Sequence, residues 1–273
     1  MKDERQNRID ELESLGKFDE DVEDDPPSKV LRADDIDYLG EGIIKKIKTK
    51  IAFFLAYRFA DKAERKKELI IKEIVGAQNL RTDSGVILTA NHFSPIDSFI
   101  MHRTFDRSKR RGRFYRIIKE GNYTSFPGFF GFLMRNCNTL PLSSDPAAMR
   151  KFLKAVDTLL KRGECILVYP EQSMWYNYKK PKPLKSGAFD LAVRSGVPVV
   201  PVFITMKESE FTGKDGEAVM EHTVHVGDAI YPDESLPRKE RAEKMLKENF
   251  EYNRKVYEKV YGVKLEYLNK TEL

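Results

Sequence analysis

The fold is indicated first by an unbroken apolar run, Cys165-Ile166-Leu167-Val168-Tyr169. Strands that helices cover on both faces have this pattern, which is typical of a parallel sheet. Residues 146–162, just before this run, have the pattern of a helix. Asp145 is suited to be its N-cap, Pro146 its first residue and Gly163 the residue after its end. A helix that leads directly into a buried strand is the repeating unit of α/β folds.

Strands and helices alternate in the same way from residue 86 onward. We therefore predict an α/β domain over residues 79–235, in which a mixed, mostly parallel central sheet is flanked by helices. Within it, Pro198 and Pro201 lie in one strand-like run and restrict that strand to an edge of the sheet or an irregular wall. The predicted strands are residues 86–90, 113–119, 164–169, 197–205 and 223–230, and the predicted helices are residues 96–105, 146–162, 186–195 and 237–262.

The segments on either side of this domain differ from it in charge and pattern. Residues 1–30 are acidic and are predicted to be a flexible tail. Residues 31–78 are predicted to be a helical region, because apolar residues recur at helical spacing over residues 41–75 with lysines around them. Such an N-terminal amphipathic helix suits a membrane interface, although the same face can instead pack on the protein's own core. Residues 236–273 are predicted to be a C-terminal helix that packs on the domain.

Charge is unevenly distributed in the chain. The net charge is +5, yet residues 1–27 hold 11 acidic and 4 basic residues, so the remainder is strongly basic. A basic body indicates an anionic partner, which is a membrane surface, a phosphorylated substrate or a nucleic acid. No recognised nucleic-acid motif accompanies the basic residues, so nucleic acid is not an expected partner. No apolar run reaches the roughly 18 residues of a spanning helix, and a peripheral protein is expected.

Three further patterns bear on compartment and metal binding. The N-terminal residues lack the apolar core of a signal peptide. Cys137 and Cys165 have neither a metal-binding nor a disulfide spacing. This cysteine pattern and the lack of a signal-peptide core both favour a cytoplasmic location. His222 and His225 would lie on opposite faces of a strand, so no metal site is expected there.

A histidine and an aspartate follow the predicted strand at residues 86–90, in the run Asn91-His92-Phe93-Ser94-Pro95-Ile96-Asp97. Histidine is suited to accept a proton near neutral pH, and a carboxylate on its far nitrogen fixes the tautomer and stabilises the imidazolium. Glu171 follows the predicted strand at residues 164–169. Because the carboxyl ends of parallel strands meet at one edge, we expect His92 and Glu171 to lie at the same site. The pattern favours base-assisted transfer onto a hydroxyl that the substrate brings.

Four motifs occur in the order and spacing of one known family. His92 and Asp97 match its N-H-x4-D motif in full, and Glu171 falls at the glutamate of its F-P-E-G-T-R-S motif. With these motifs, residues 50–232 resemble the 1-acylglycerol-3-phosphate O-acyltransferase (PlsC-like) family of glycerolipid acyltransferases. The other two motifs are Lys185-Ser186-Gly187-Ala188-Phe189, which resembles K-x-G-A-F, and Val197-Pro198-Val199-Val200-Pro201-Val202, which matches V-P-(I/V)-(I/V)-P-V.

The resemblance implies acyl transfer to a lysophospholipid, foremost 1-acylglycerol-3-phosphate, which becomes phosphatidic acid. His92 is then the general base for the acceptor hydroxyl and Asp97 orients it, without a covalent acyl-enzyme. The acyl group comes from acyl-CoA or acyl-carrier protein as co-substrate, and neither a cofactor nor a metal is implied. The expected partner surface is the anionic inner face of the cell membrane. The residues implied to bind substrate are Glu171, Lys119, Arg135, Lys185 and Gly187.

The chain departs from the family at two anion-binding arginines. Glu171 is followed by Gln172-Ser173-Met174 instead of Gly-Thr-Arg, and the closing arginine of F-(I/V)-D-R is lost in Thr139-Leu140-Pro141-Leu142-Ser143. Arginine recognises phosphate in a bidentate way that lysine does not copy. Two explanations stay open at this point. Either the acceptor is another lysophospholipid or a glycolipid, or other cations hold the phosphate as point charges, from among Lys179, Lys180, Lys182, Lys185 and Arg135.

A basic stretch at residues 103–116 follows the histidine motif. It suits the phosphates of coenzyme A, an acidic carrier protein or anionic lipid, and it equally suits a solvated loop. Two other classes of function also stay open. One is a hydrolase that uses water in place of the alcohol, and the other is a membrane-binding protein without catalysis.

Overall fold

A seven-stranded sheet runs through the residues that the computed structural model describes, which are 2–23, 28–214 and 216–269. Its strands are β1 (Ile70–Val75), β2 (Val86–Thr89), β3 (Phe114–Ile118), β4 (Thr139–Pro141), β5 (Cys165–Val168), β6 (Val199–Thr212) and β7 (Ala218–Val226). In space they lie in the order β1-β7-β6-β2-β5-β3-β4. All neighbours are parallel except β6 and β7, which are antiparallel. The predicted mixed, mostly parallel sheet is confirmed.

Helices flank this sheet on both faces. They are α1 (Lys2–Ser14), α2 (Ile43–Arg65), α3 (Asp97–Ser108), α4 (Glu120–Thr124), α5 (Gly128–Asn136), α6 (Pro146–Lys161), α7 (Gly187–Ser195) and α8 (Arg238–Tyr261), with short 3-10 helices at Ala33–Asp35 and Ala77–Leu80. The helices predicted between strands are present as α3, α6 and α7. The sequence analysis missed α4, α5 and β4, because elements this short leave little periodicity to detect.

Side chains of β2 alternate between two apolar cores, one on each face of the sheet. Leu88 belongs to the core that α3 closes with Ile100 and Met101. Ile87 belongs to the other core, which α6 closes with Phe152 and α7 closes with Phe189. Burial on both faces explains why the central strands are apolar without interruption.

The unit of α6 and β5 forms as its sequence predicts. The side chain of Asp145 accepts a hydrogen bond from the backbone N–H of Ala148 at 2.8 Å and caps the helix. Gly163 adopts a left-handed φ of 83°, which lets the chain turn directly into the strand. In β5, Cys165 and Leu167 are fully buried between β2 and β3.

Of the two positions predicted for the strand with Pro198 and Pro201, an edge of the sheet or an irregular wall, the edge is wrong. The strand is β6, which lies inside the sheet between β7 and β2. Its pairing with β2 ends at Pro201, and its pairing with β7 begins at Val202. Pro201 has no N–H to donate, but its carbonyl accepts a hydrogen bond from Gly227 at 2.8 Å. Proline is tolerated because it sits where β6 exchanges one neighbour for the other.

The helix predicted over residues 41–75 is too long, because α2 ends at Arg65. The chain turns at residues 66–69, and residues 70–75 form β1, whose branched side chains suit a strand. The boundary predicted at residue 79 moves accordingly, since β1 belongs to the sheet of the domain. No helix within the described ranges combines the length and the apolar character that crossing a bilayer requires.

The prediction of a flexible tail over residues 1–30 is wrong for residues 2–23. Residues 2–14 form α1, whose Ile9 and Leu12 are buried together with Phe18 against Trp175. Acidic composition hid this contact, because few apolar residues are enough to hold a helix when they meet one large aromatic ring. Residue 1 and residues 24–27 lie outside the described residues.

The predicted C-terminal helix is present as α8 and packs on the domain through Ala242 and Met245. It ends at Tyr261, so the predicted region 236–273 is helical only in its first part, and residues 270–273 lie outside the described residues. Asn249 accepts a hydrogen bond from the hydroxyl of Thr89 at 2.6 Å, which ties the helix to the end of β2. The hydroxyl of Tyr261 accepts one from the backbone N–H of Met206 in β6 at 2.8 Å. These bonds brace the two strands that adjoin the candidate site.

Candidate active site

The carboxyl ends of β2, β5 and β3 form one edge of the sheet, since these strands are neighbours and parallel. His92 lies three residues beyond β2, Glu171 three beyond β5 and Lys119 one beyond β3. The sheet order therefore brings together side chains that are far apart in sequence, as expected for this class of fold.

His92 and Asp97 are in direct contact. His92 Nδ1 lies 2.6 Å from Asp97 Oδ2, and the backbone N–H groups of Phe93 and Ser94 approach the same oxygen at 3.3 and 3.4 Å. Asp97 is the first residue of α3, where the helix dipole favours a carboxylate. The Asp97 side chain is 1% exposed and the His92 side chain 24% exposed. The carboxylate is thus buried behind an imidazole that solvent and substrate can reach.

Tyr169, at the tip of β5, touches both members of this pair. Its hydroxyl donates to Asp97 Oδ1 at 2.7 Å. Its ring stacks on His92, with ring centroids 4.2 Å apart and planes 18° apart. Burial and the adjacent Asp97 carboxylate raise the pKa of Tyr169, so the hydroxyl stays a donor. Our sequence reasoning missed Tyr169, although a tyrosine at the family's phenylalanine position before Pro170 was a visible signal.

Glu171 holds the histidine loop through backbone groups and not through an exposed carboxylate. Its Oε2 accepts the N–H of His92 at 3.2 Å and its Oε1 accepts the N–H of Lys182 at 3.0 Å. The side chain is only 2% exposed. Burial raises the pKa of Glu171, and Lys182 and the two N–H groups oppose this. The geometry makes Glu171 a positioning residue for His92.

Lys182 is buried beneath the site. Its ammonium donates to the backbone oxygen and the hydroxyl of Ser173 at 2.8 and 2.6 Å. It also lies 3.9 Å from Glu171 Oε2 and 4.7 Å from the centroid of the Trp175 ring. Burial lowers the pKa of Lys182 to about 8. With its donors directed inward, Lys182 braces the loop after β5 and is not available to an acceptor phosphate.

The other predicted binding residues lie around this edge in different settings. Lys119 donates to Asp21, and Lys185 Nζ lies 2.9 Å from Asp19 Oδ2, so an acidic N-terminal segment reaches both lysines. Gly187 opens α7, and an added Cβ there would meet no atom within 4 Å. That open space lets a ligand approach the backbone at the start of the helix.

Arg135 instead fixes the turn between α4 and α5. One of its guanidinium nitrogens donates to the backbone oxygens of Tyr123 and Phe126 at 3.2 and 3.1 Å. In the basic stretch at residues 103–116, Arg103 is paired with acidic residues of α2. Arg110 donates to backbone oxygens such as that of Leu80 at 2.7 Å. These arginines therefore have structural partners within the chain.

The chain offers no exposed thiol at this edge. Cys137 and Cys165 are both buried, and burial raises their pKa values to about 11 and about 12. Among the described residues, no group of three or more histidine, cysteine or acidic side chains is arranged to hold a metal ion. His222 is buried against the ring of Phe93.

Comparison with known proteins places the domain in a family. The model of the Acyltransferase family matches residues 72–205. These residues are an acyltransferase-family domain. The match spans β1 to the middle of β6 and includes His92, Asp97 and Glu171. The resemblance to PlsC-like glycerolipid acyltransferases is thus confirmed at the level of family.

Curated relatives of this acyltransferase domain have modest identity. A 1-acyl-sn-glycerol-3-phosphate acyltransferase of Saccharomyces cerevisiae is 28% identical over 145 residues, which are 53% of this chain and 46% of that protein. A chloroplastic 1-acyl-sn-glycerol-3-phosphate acyltransferase of Brassica napus is 27% identical over 152 residues, which are 55% of this chain and 41% of that protein. An uncharacterized acyltransferase of Schizosaccharomyces pombe is 31% identical over 135 residues, 48% of this chain and 46% of that protein. The chain thus spans less than half the length of these relatives.

A solved structure shares the fold. The crystal structure of the 1-acyl-sn-glycerophosphate acyltransferase PlsC from Thermotoga maritima matches 82% of this chain and 82% of its own, with a TM-score of 0.50 and 20% sequence identity. At this identity the likeness supports the α/β architecture with a mostly parallel sheet.

Proposed function

We propose that the protein transfers a fatty acyl group from an acyl thioester to a hydroxyl of a lysophospholipid. The proposed acceptor is 1-acylglycerol-3-phosphate and the product is phosphatidic acid. The observation that carries the proposal is the 2.6 Å contact between His92 Nδ1 and the buried Asp97 carboxylate. Relatives that are named 1-acyl-sn-glycerol-3-phosphate acyltransferases support the choice of acceptor.

The proposed chemistry uses His92 as a general base. With Nδ1–H donated to Asp97, Nε2 carries the lone pair that takes the proton of the acceptor hydroxyl. The hydroxyl oxygen attacks the thioester carbonyl and a tetrahedral oxyanion forms. The carbon–sulfur bond then breaks, the ester forms, and His92 returns its proton to the leaving thiolate. The acceptor supplies the nucleophile, which agrees with the burial of both cysteines.

The remaining assignments follow from the setting of each residue. Lys119 and Lys185 are the proposed cations for the acceptor's phosphate, because their side chains are 40% and 48% exposed at the site edge. Gly187 leaves space for the acceptor. Glu171 holds the His92 backbone. Arg135 shapes the neighbouring turn. The proposed donors are acyl-CoA or acyl-carrier protein, with no cofactor.

The membrane partner is proposed from the outer face of α2. Its apolar side chains Ile43, Ile47 and Phe54 are exposed, while Ala52 and Ala60 pack inward. The same helix carries exposed lysines between these residues, at positions 46, 48 and 50. An apolar helix face edged with lysines binds an anionic lipid surface by burial and by charge.

The aromatic residues of α5 extend this surface. Phe129 and Phe130 are exposed and contact Phe59 of α2, with ring centroids 5.9 and 5.6 Å apart. We propose peripheral binding at the cytoplasmic, inner face of the cell membrane. Ile47→Glu should weaken cosedimentation with anionic liposomes at least tenfold. Val260→Glu, on the exposed side of α8, should not, and equal binding by both variants would contradict the membrane assignment.

The acyltransferase proposal is tested by product analysis. The purified protein is incubated with palmitoyl-CoA or palmitoyl-carrier protein and a panel of lysophospholipid and glycolipid acceptors in liposomes. Thiol release that depends on 1-acylglycerol-3-phosphate, with phosphatidic acid found by mass spectrometry, is the expected result. Fatty acid release without any acceptor would establish hydrolysis instead, and liposome binding without thiol release would establish a non-catalytic membrane protein.

A further inference from the structure

The acidic segment, defined here as residues 17–23, packs against the loop that follows β5, at the edge of the candidate site. The ring of Phe18 stacks on Trp175 with ring centroids 5.7 Å apart. The backbone oxygen of Phe18 accepts the hydroxyl of Ser173 at 2.6 Å, and that of Glu20 accepts the indole N–H of Trp175 at 2.9 Å. Ser173 and Trp175 belong to the loop that leaves β5. These buried contacts fix the acidic segment against that loop.

Two carboxylates of the acidic segment pair with the two lysines proposed for the acceptor's phosphate. Asp19 Oδ2 lies 2.9 Å from Lys185 Nζ, and Lys185 holds the pKa of Asp19 below its usual range. Asp21 accepts a hydrogen bond from Lys119 through one oxygen. Its other oxygen accepts the backbone N–H of Met174 at 3.3 Å. Both aspartates thus occupy the lysines that are proposed to recognise the acceptor's phosphate.

These pairs are strong enough to compete and weak enough to be displaced. The side chains of Asp21 and Lys119 are 28% and 40% exposed, and those of Asp19 and Lys185 are 47% and 48% exposed. Water screens ion pairs at this exposure, so each contributes little free energy. A phosphate monoester, which carries up to two negative charges, can displace a carboxylate, which carries one. It then binds Lys119 and Lys185 less tightly than it would if no carboxylate competed for them.

We propose that Asp19 and Asp21 determine acceptor specificity by competing with the acceptor's phosphate for Lys185 and Lys119. The inference rests on the proposed acyltransferase function. An acceptor that carries a phosphate monoester must separate both pairs, whereas a 1-acylglycerol, which ends in a hydroxyl, meets no competing charge. The two anion-binding arginines of the family are also absent from this chain, which further weakens its binding of a phosphate monoester. The acceptor range therefore extends to lysolipids without a phosphate monoester.

The double variant Asp19→Asn, Asp21→Asn tests this inference. Steady-state rates with palmitoyl-CoA are measured for two acceptors, 1-acylglycerol-3-phosphate and 1-acylglycerol. The variant should lower the KM for the phosphorylated acceptor about three- to tenfold, because two screened ion pairs no longer compete for the lysines. Its kcat, and its KM for 1-acylglycerol, should stay at the wild-type values. An unchanged ratio of the two KM values would overturn the inference.

The matched control is Glu20→Gln, Glu23→Gln, which removes the same charge from the acidic segment. Glu20 pairs with Lys17 at 2.9 Å and Glu23 pairs with Arg5 at 2.7 Å, away from both site lysines. This control should leave both KM values unchanged, and an equal fall in KM would show a general charge effect instead. Trp175 is the single tryptophan of the chain, so its emission reports whether each variant keeps the acidic segment in place.

A binding measurement separates this inference from the proposed function. Calorimetric titration with detergent-dispersed 1-acylglycerol-3-phosphate requires no turnover. The variant Asp19→Asn, Asp21→Asn should bind this lipid about three- to tenfold more tightly than the wild type. Equal Kd values would overturn the competition, whatever the activity. Tighter binding without acyl transfer by the wild type would overturn the proposed function and support the competition.

Discussion

Tyr169→Phe isolates one hydrogen bond in the site. The variant keeps the ring that stacks on His92 and removes the hydroxyl that donates to Asp97 Oδ1 at 2.7 Å. Asp97 is 1% exposed, so water does not readily replace this donor. A hydrogen bond to a charged group contributes about 1.5–3 kcal/mol, and we expect the free energy of unfolding to fall by about 2 kcal/mol. For a chain of this size that lowers Tm by about 5 °C.

The same change should lower kcat more than KM. Without its donor the Asp97 carboxylate can rotate, and His92 spends less time in the orientation that accepts the hydroxyl proton. We expect kcat to fall about three- to tenfold. Thermal denaturation and thiol-release kinetics measure the two effects. Tyr57→Phe is the matched control, since Tyr57 donates to Asp106 at 3.0 Å away from the site. A Tyr169→Phe variant with wild-type Tm and kcat would refute the reasoning.

Three further predictions concern buried groups of the site and core. Glu171→Gln places an amide donor against a backbone N–H. It should lower the free energy of unfolding by about 3 kcal/mol, measured by circular dichroism, and should lower kcat at least tenfold. An unchanged kcat would contradict the positioning role of Glu171. Burial lowers the pKa of Lys182 to about 8, so between pH 8 and 10 the unfolded chain holds the additional proton and stability rises with pH. Lys182→Met should lack this rise in urea titrations from pH 7.5 to 9.5, and equal slopes would contradict the assignment. Burial raises the pKa values of Cys137 and Cys165 to about 11 and about 12, so iodoacetamide at pH 8 should leave activity intact until denaturant is added, whereas rapid inactivation of the native protein would contradict their burial.

Local patterns predicted most of the fold. The cap at Asp145 and the apolar run of β5 depend on neighbours in sequence, and both appear in the structure as expected. The β1 strand was hidden because its apolar residues continue the spacing of α2. The interior position of β6 could not be predicted, because a proline in a strand usually indicates an edge. The sheet accommodates Pro201 because β6 exchanges β2 for β7 as its neighbour at this residue.

The site was predictable to the extent that it is local. His92 and Asp97 are five residues apart, and their contact is made within one loop and the first turn of α3. The contacts of Tyr169, Lys182 and the acidic segment join residues that are 72 or more positions apart or lie beneath the surface. No periodicity in the sequence encodes such pairings, because they depend on how the sheet orders its strands and on how the loop after β5 and the N-terminal segment fold against each other.

The assignment of the acidic N-terminal residues failed for a related reason. Composition treats residues 1–30 as one polar block, whereas the structure buries Ile9, Leu12 and Phe18 as anchors and buries Glu13, which pairs with Lys180 at 2.6 Å. Two further carboxylates meet lysines of the domain, at Asp19 and Asp21. A net charge count therefore describes solubility well and the electrostatics of the site poorly.

The central claim is that His92 is the base of an acyl transfer, and one measurement tests it most directly. Thiol release from palmitoyl-CoA with 1-acylglycerol-3-phosphate in liposomes is compared for the wild type, His92→Ala and His225→Ala. His225 lies in β7, where it contacts Thr205, and serves as the matched histidine. Loss of a general base lowers the rate about 10²–10⁴-fold. The His92→Ala variant should therefore fold normally but lose turnover, and the His225→Ala variant should keep the wild-type turnover. A folded His92→Ala variant with the wild-type rate would contradict the account.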